Sequence, residues 1–317
     1  MLQSMPSVDN SQLPRTFDTP IDPYYGLPER ISIGPLRIDS LSAHELTRRL
    51  IGHTFAPGKT NHVVTANAQF YVLAEEREDF RRCVAEAEYV CADGISVALA
   101  CKWLGRKAVS RIAGVDLISY LCEESVCLDL TIYFLGGNPG SAAKSASIMM
   151  KRFPGLRVAG VSCPPVGFIH NPRLLAEVLD DIRTANPSII FVALGAPRQE
   201  FFIQEHIRPL GIPVALGVGG SFEIICGVTH RAPVWMQSSG LEWFYRWAQE
   251  PVRLANRYLI GNTLFSYYLM RNMVRQKQQT SSQEVQLLPS SDRTLSEIRT
   301  RHLYQEAQKA DAAGPLA

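Results

Sequence analysis

Between Leu130 and Gly220 four short apolar runs alternate with three segments of helical spacing. LTIYFLGG leads into PGSAAKSASIMMKRF, LRVAGVSC into NPRLLAEVLDDIRTAN, and IIFVALG into PRQEFFIQEHIRPL, before the chain reaches VALGVGG. Apolar runs of that length bounded by Gly and Pro are strands, and the longer amphipathic segments are helices. A chain that repeats this alternation has few options. Each helix must cross back over the sheet, with a right-handed turn, to start the next strand in the same direction. Upstream, NHVVTAN (61–67) reads as a strand running into a helix near Ala68, and YVCADG (89–94) as a strand before the helical ISVALACKWLG. AHELTRRLIG (43–52) reads as a helix and ISIGPLRIDS (31–40) as an extended segment or small hairpin. The expected fold is α/β: a Rossmann-like parallel sheet flanked by helices, with a helical C-terminal appendage.

The core is expected over residues 30–240, preceded by a flexible arm (1–29) rich in Pro, Ser and Asp. An arginine- and aromatic-rich appendage follows at 241–275, and then a polar tail at 276–317 with a short helix near 294–309. Seven cysteines without CxxC spacing suit buried free thiols in a reducing compartment. The first residues lack the basic start and apolar centre of a signal peptide. No apolar run approaches the roughly 20 residues that cross a bilayer. These features place the protein in the cytoplasm. Its formal net charge of +2 predicts no bulk attraction to nucleic acid.

In open parallel sheets ligands bind beyond the carboxyl ends of the strands. Those segments here contain Thr65-Ala66-Asn67, Asp93-Gly94, Gly136-Gly137-Asn138-Pro139-Gly140, Gly195 through Glu200, and Gly217 through Gly220. The Gly136–Gly140 loop precedes a helix, so its amides and the helix dipole could seat an anion; it could equally be an empty turn. GVGGSF lacks the full G-x-G-x-x-G pattern, and no G-x-x-x-x-G-K-[ST] is present. The seven histidines are dispersed and there is no Asp-x-Asp triplet, so no metal site and no cofactor are expected. A bound phosphate would then rest on arginines and amides. Asp93, directly after a buried strand, could be a general base or the N-cap of the next helix. Arg111 could be a surface charge or an anion clamp. Gln199 stands in a helix's first turn without the dipole's preference for acids, which points to ligand contact.

The stretch EWFYRWAQEPVRLANRYLIGN (242–262) crowds aromatics with arginines. Arg253 and Arg257 are four apart and share a helix face if Pro251 starts a new helix. Guanidinium forks of that kind hold a diphosphate bidentately. Trp243, Trp247, Tyr258 and the following LIGNTLFSYYLM suit either a membrane-surface segment or an amphipathic helix packed on the core.

The strings TANAQF, ADGISVA, RIAGVDL, FLGGNPG, LGAPRQE, GVGGSFE, RAPVW and EWFYRWAQEPVRLANRY, in this order over about 60–260, resemble the WecG/TagA/CpsF glycosyltransferases (glycosyltransferase family 26). The resemblance implies a compact glycosyltransferase fold of that type. It also implies an inverting, metal-independent transfer of a hexose-type sugar from a UDP-sugar to a polyprenyl-diphosphate-linked saccharide. The setting would be cell-surface or exopolysaccharide biosynthesis at the inner face of the cytoplasmic membrane. The sugar is glucose or N-acetylmannosamine(uronic acid); CPPVGF (163–168) is similar to the exopolysaccharide glucosyltransferase branch. Carried over residue by residue, Asp93 looks like the base, with Thr65 beside it in the catalytic set. Asn67, Arg111 and Gln199 look like substrate contacts, and Gly136, Gly137, Gly195 and Gly219 like parts of the nucleotide site. Arg246, Arg253 and Arg257 match the appendage's basic positions, although Asn256 stands where many members have a second arginine. The appendage would meet the membrane surface, and homo-oligomer formation is left open. The alternative reading is a sugar-nucleotide-binding module that has lost catalysis. Metal independence yields the first prediction: EDTA leaves sugar transfer intact, and an inhibition that magnesium reverses would contradict the reliance on arginines and amides.

Overall fold

The computed structural model describes residues 28–56, 58–105, 107–233, 235–236, 241–249 and 261–287. By compactness the chain divides into Met1–Leu269, which holds the sheet, and Met270–Ala317, whose described residues belong to the last helix.

An antiparallel hairpin comes first, β1 (Arg30–Ile33) and β2 (Leu36–Asp39), turning at Gly34-Pro35 with Gly34 at φ 57. Six parallel strands follow: β3 (Asn61–Ala66), β4 (Tyr89–Ala92), β5 (Thr131–Gly136), β6 (Arg157–Ser162), β7 (Ile189–Ala193) and β8 (Val214–Gly217). They form one sheet in the order β4-β3-β8-β7-β5-β6, with every pairing parallel. The intervening helices are α1 (Ala43–His53), α2 (Ala68–Glu76), α3 (Glu78–Ala85), α4 (Ile95–Leu104), α5 (Gly114–Cys127), α6 (Ser141–Arg152), α7 (Pro172–Ala185), α8 (Arg198–Phe202) and α9 (Ser221–Ile225). The expected parallel sheet is the sheet observed.

Local chemistry explains the boundaries. Ser42 and Glu45 close a reciprocal capping box at the start of α1. Asn171 accepts amides at the start of α7, Pro172 follows in the first turn, and left-handed Asn186 ends the helix. Where one long helix was expected from PRQEFFIQEHIRPL, α8 gives way to a wider turn over Ile203–Ile207 and a tighter one over Arg208–Leu210.

The inner strands are mostly apolar and buried because helices cover both faces of the sheet. Ile132, Phe134, Ile189, Phe191, Val214 and Leu216 face a core that includes Leu50, Leu117, Leu121 and Met149. Their alternates Tyr133, Leu135, Ile190, Val192 and Ala215 face a second core with Val178, Ile182, Phe202 and Ile207. The hairpin guards the β4 edge: Asp39 Oδ2 accepts the Val90 amide at 2.7 Å, while Arg30 binds Asp39 at 2.9 Å and the Glu88 carbonyl at 2.6 Å.

Beyond the sheet, Glu242–Gln249 is helical and Gly261–Leu287 forms the last helix among the described residues. The latter continues past the expected start of the tail at 276, since Gln, Lys and Glu support helix well. Arg253 and Arg257, the side chain of Arg246, the arm up to residue 27 and the tail beyond Leu287 lie outside the described residues.

At the β6 edge Gly160 lies opposite Tyr133, where a Cβ would come 2.4 Å from the buried ring. Gly160→Ala is therefore expected to destabilise the fold by about 1–3 kcal/mol through overpacking. An unchanged denaturant midpoint would show that the Tyr133 ring is free to move.

Candidate active site

Adjacent strands β5 and β7 send the chain in opposite directions, β5 outward to β6 and β7 inward to β8, which opens a crevice at their carboxyl ends. The residues singled out in the core segments lie along that same edge. In spatial order they are Asp93 after β4, Thr65 and Asn67 at β3, Gly219 after β8, Gly195 and Gln199 after β7, and Gly136-Gly137 at β5. Five neighbouring strand ends at about 4.8 Å spacing make a row of about 19 Å.

At one end of the row, Thr65 is buried and its Oγ1 donates to the Gly217 carbonyl at 3.0 Å. Asn67 caps α2 by accepting the Gln69 amide at 3.0 Å. The Asp93 amide donates to the Ala66 carbonyl at 2.8 Å, fastening the end of β4 to β3. The N-cap of α4 is Gly94, with no side-chain capping bond, so the capping role open to Asp93 goes to its neighbour's backbone. Asp93 is half-buried at the edge.

Arg111 is half-buried rather than a loose surface charge. Its Nε donates to the Asp93 carbonyl at 3.1 Å, and its Nη2 pairs with Glu242, the first residue of the helix Glu242–Gln249. Gln249, at the other end of that helix, exchanges two hydrogen bonds with the His230 backbone, at 2.8 and 2.9 Å. The helix is thus fastened to the core at both ends. Beside this pair, Arg231 grips Asp116 with two bonds of 2.6 Å. Burial lowers the pKa of Arg231, but Asp116, Glu242 and Asp93 outweigh it and hold it above the ordinary value. Neither Arg231 nor Glu242 is marked by spacing in RAPVW or EWFYRWAQEP, because an ion pair between distant segments has no period in the sequence.

In the middle of the row Gln199 is 2% exposed. Its Oε1 accepts the Gly195 amide at 3.1 Å and the Gly219 amide at 3.0 Å, so one side chain fastens the loops after β7 and β8. The structural task that the sequence did not suggest for Gln199 is this crosslink. Its Nε2 donates at 2.7 Å to Oε1 of Glu200, which is 0% exposed and whose Oε2 has no partner. Gly217 makes room: a Cβ there would lie 2.6 Å from Gln199 Nε2 and 2.8 Å from Glu200 Oε1.

At the β5 end, Gly136 and Gly137 adopt φ 92 and 79, and the Gly137 amide donates to the Ala193 carbonyl at 2.8 Å. The Asn138 amide, in the loop left open as an anion seat or an empty turn, donates to Glu223 Oε1 at 2.7 Å, and Ser141 Oγ reaches the same oxygen at 3.2 Å. An internal carboxylate from α9 therefore uses the start of α6. No group of three or more His, Cys, Asp or Glu side chains gathers as a metal-ligand set among the described residues.

Burial pushes the Glu200 carboxyl up to about 7, against the bonds from Gln199 and its own backbone. The folded state holds that proton where the unfolded chain, at 4.5, has lost it. The stability this group contributes is fully present below pH 4.5 and is lost as pH rises through about 7. Glu200→Gln is expected to remove this decline, a few kcal/mol in size. Equal pH–stability slopes for the two proteins would show that Glu200 titrates normally.

Comparison with known proteins agrees with this architecture. Residues 31–279 match the model of the Glycosyl transferase WecG/TagA/CpsF family. An N-acetylglucosaminyldiphosphoundecaprenol N-acetyl-beta-D-mannosaminyltransferase of Bacillus spizizenii is 34% identical over 191 residues, 60% of this chain and 72% of the relative. A Bacillus subtilis protein of the same name is 31% identical over 191 residues, with the same coverage. With most of the described sheet, its strand-end loops and the helix Glu242–Gln249 inside the matched range, the chain belongs to the WecG/TagA/CpsF family of glycosyltransferases.

Proposed function

We propose that the protein transfers a hexose-type sugar, with inversion and without a metal, from a UDP-sugar to a polyprenyl-diphosphate-linked saccharide. The observation that carries this reading is the position of Asp93. It directly follows a buried strand, is not the N-cap residue of α4, and stands at one end of a row shared with Thr65, Asn67 and the glycine loops. The row's length of about 19 Å suits a nucleotide sugar laid along the edge with its anomeric carbon toward Asp93. There the carboxylate takes the proton of the acceptor hydroxyl, whose oxygen forms the new bond to the anomeric carbon as the bond to the UDP oxygen breaks. Thr65 and Asn67 hold the reacting groups in place beside Asp93. The loops at Gly136, Gly137, Gly195 and Gly219 line the nucleotide, the latter two held together by Gln199. Arg111, Arg246, Arg253 and Arg257 supply the cationic charge that a departing diphosphate requires.

The acceptor class rests on the names of the two Bacillus relatives, which describe transfer onto a diphosphoundecaprenol-linked sugar. Their names also favour N-acetylmannosamine as the sugar, with its uronic acid or glucose as the other choices. A lipid-linked acceptor calls for a peripheral position on the inner face of the cytoplasmic membrane, reached through the C-terminal appendage. Among the described residues no helix is long and apolar enough to cross a membrane, and the last helix exposes Tyr267, Met270 and Val274.

Asp93→Asn is expected to keep the fold and UDP binding but to lose at least about 100-fold in turnover, the usual cost of removing a general base. Steady-state assays over a panel of UDP-sugars with a synthetic polyprenyl-diphosphate saccharide measure it. Turnover near that of the unmodified protein would remove Asp93 from the mechanism.

A further inference from the structure

We infer that Glu200 is a positioning residue that sets the orientation of the Gln199 amide and, through it, the spacing of the two loops in the middle of the site. The inference rests on the proposed function for what those loops bind.

A side-chain amide between two N–H donors must present its oxygen to both. The Gly195 and Gly219 amides supply those donors at 3.1 and 3.0 Å. The arrangement holds only if the NH2 group has an acceptor behind it, and Glu200 Oε1 is that acceptor at 2.7 Å. Turned about, the amide would set its NH2 against two N–H groups. Stability alone does not account for an acid at this position. Glu200 is fully buried, its second oxygen is unpartnered, and no cation faces it within a hydrogen bond or ion pair among the described residues. A buried acid of this kind costs more than an apolar side chain of the same shape. Gly217 is shaped to the same end, since it leaves room for both Gln199 Nε2 and Glu200 Oε1 while its carbonyl receives Thr65. One chain of contacts therefore runs from Glu200 through Gln199 to the loops after β7 and β8, with Thr65 of β3 fastened alongside at Gly217.

The test compares Glu200→Met, which has the shape without the acceptor, with Glu200→Gln, which keeps an acceptor oxygen. Both are made in the full chain. Two quantities are measured: hydrogen exchange at the Gly195 and Gly219 amides, and the dissociation constant for UDP by calorimetry. Glu200→Met is expected to melt cooperatively, to exchange at both amides about tenfold faster, and to bind UDP about tenfold more weakly. Glu200→Gln is expected to bring both values back to within about threefold of the unmodified protein. In a Gln199→Met background, Glu200→Met is expected to add nothing, because its effect passes through the missing amide.

Unaltered exchange and affinity in Glu200→Met would overturn the inference. So would equal damage from Met and Gln, or additive effects in the Gln199→Met background. If Glu200→Met does not melt cooperatively, Glu200→Asp replaces it, with smaller shifts of the same sign expected and no shift counting against the inference. Failure of the unmodified protein to bind UDP would defeat the functional reading instead, and the exchange rates would still decide the role of Glu200.

Discussion

The four inner strands of the parallel sheet, buried on both faces, satisfy their backbone groups within the sheet, so unused amides and carbonyls collect at the strand ends. At the carboxyl edge the protein meets this constraint mostly with itself. Gln199 takes the amides of Gly195 and Gly219, Thr65 takes the Gly217 carbonyl, and Glu223 takes the Asn138 amide. The edge is thereby fastened from β3 through β8 and β7 before any substrate arrives. A site whose loops are already held loses little further freedom on binding, which favours affinity and correct placement of the reacting atoms.

Charge follows a similar pattern. Arg111 and Arg231 each meet a carboxylate of their own chain, Glu242 and Asp116, and the field around Asp93 includes both arginines' neighbourhoods. The pairing of Arg111 with Glu242 links the carboxyl edge of the sheet to the helix Glu242–Gln249, and the bonds of Gln249 to His230 hold that helix's far end. The aromatic and basic stretch that follows the core is therefore joined to the site by specific contacts at its beginning.

Asp93 and Glu200 show two treatments of acids within one edge. Asp93 is half-buried, with its backbone carbonyl bonded by Arg111 and its charge felt by Arg231. Glu200 is sealed beneath the loops, where burial raises its proton affinity and leaves it as a support for Gln199. The same side-chain chemistry serves at the surface of the site in one case and in its foundation in the other.

Much of this was legible in the sequence. The alternation of apolar runs and amphipathic segments, a local pattern of a dozen residues at a time, specified the parallel sheet, and with it the rule that strand ends carry the chemistry. The strand-end segments that hold Asp93, Thr65, Asn67, Gln199 and the glycines at 136, 137, 195 and 219 followed from that rule, and the family resemblance singled out those residues within them. Tertiary structure alone decided the strand order, which puts β8 and β7 between β3 and β5, and so decided which strand-end loops are neighbours. It also assigned partners: Glu200 to Gln199, Glu223 to the α6 loop, and Glu242 to Arg111 across 131 positions of chain. Periodicity reports what a residue's near neighbours require. A hydrogen bond between segments far apart in the chain has no period, and it exists only once the sheet has brought those segments within 3 Å or so of each other.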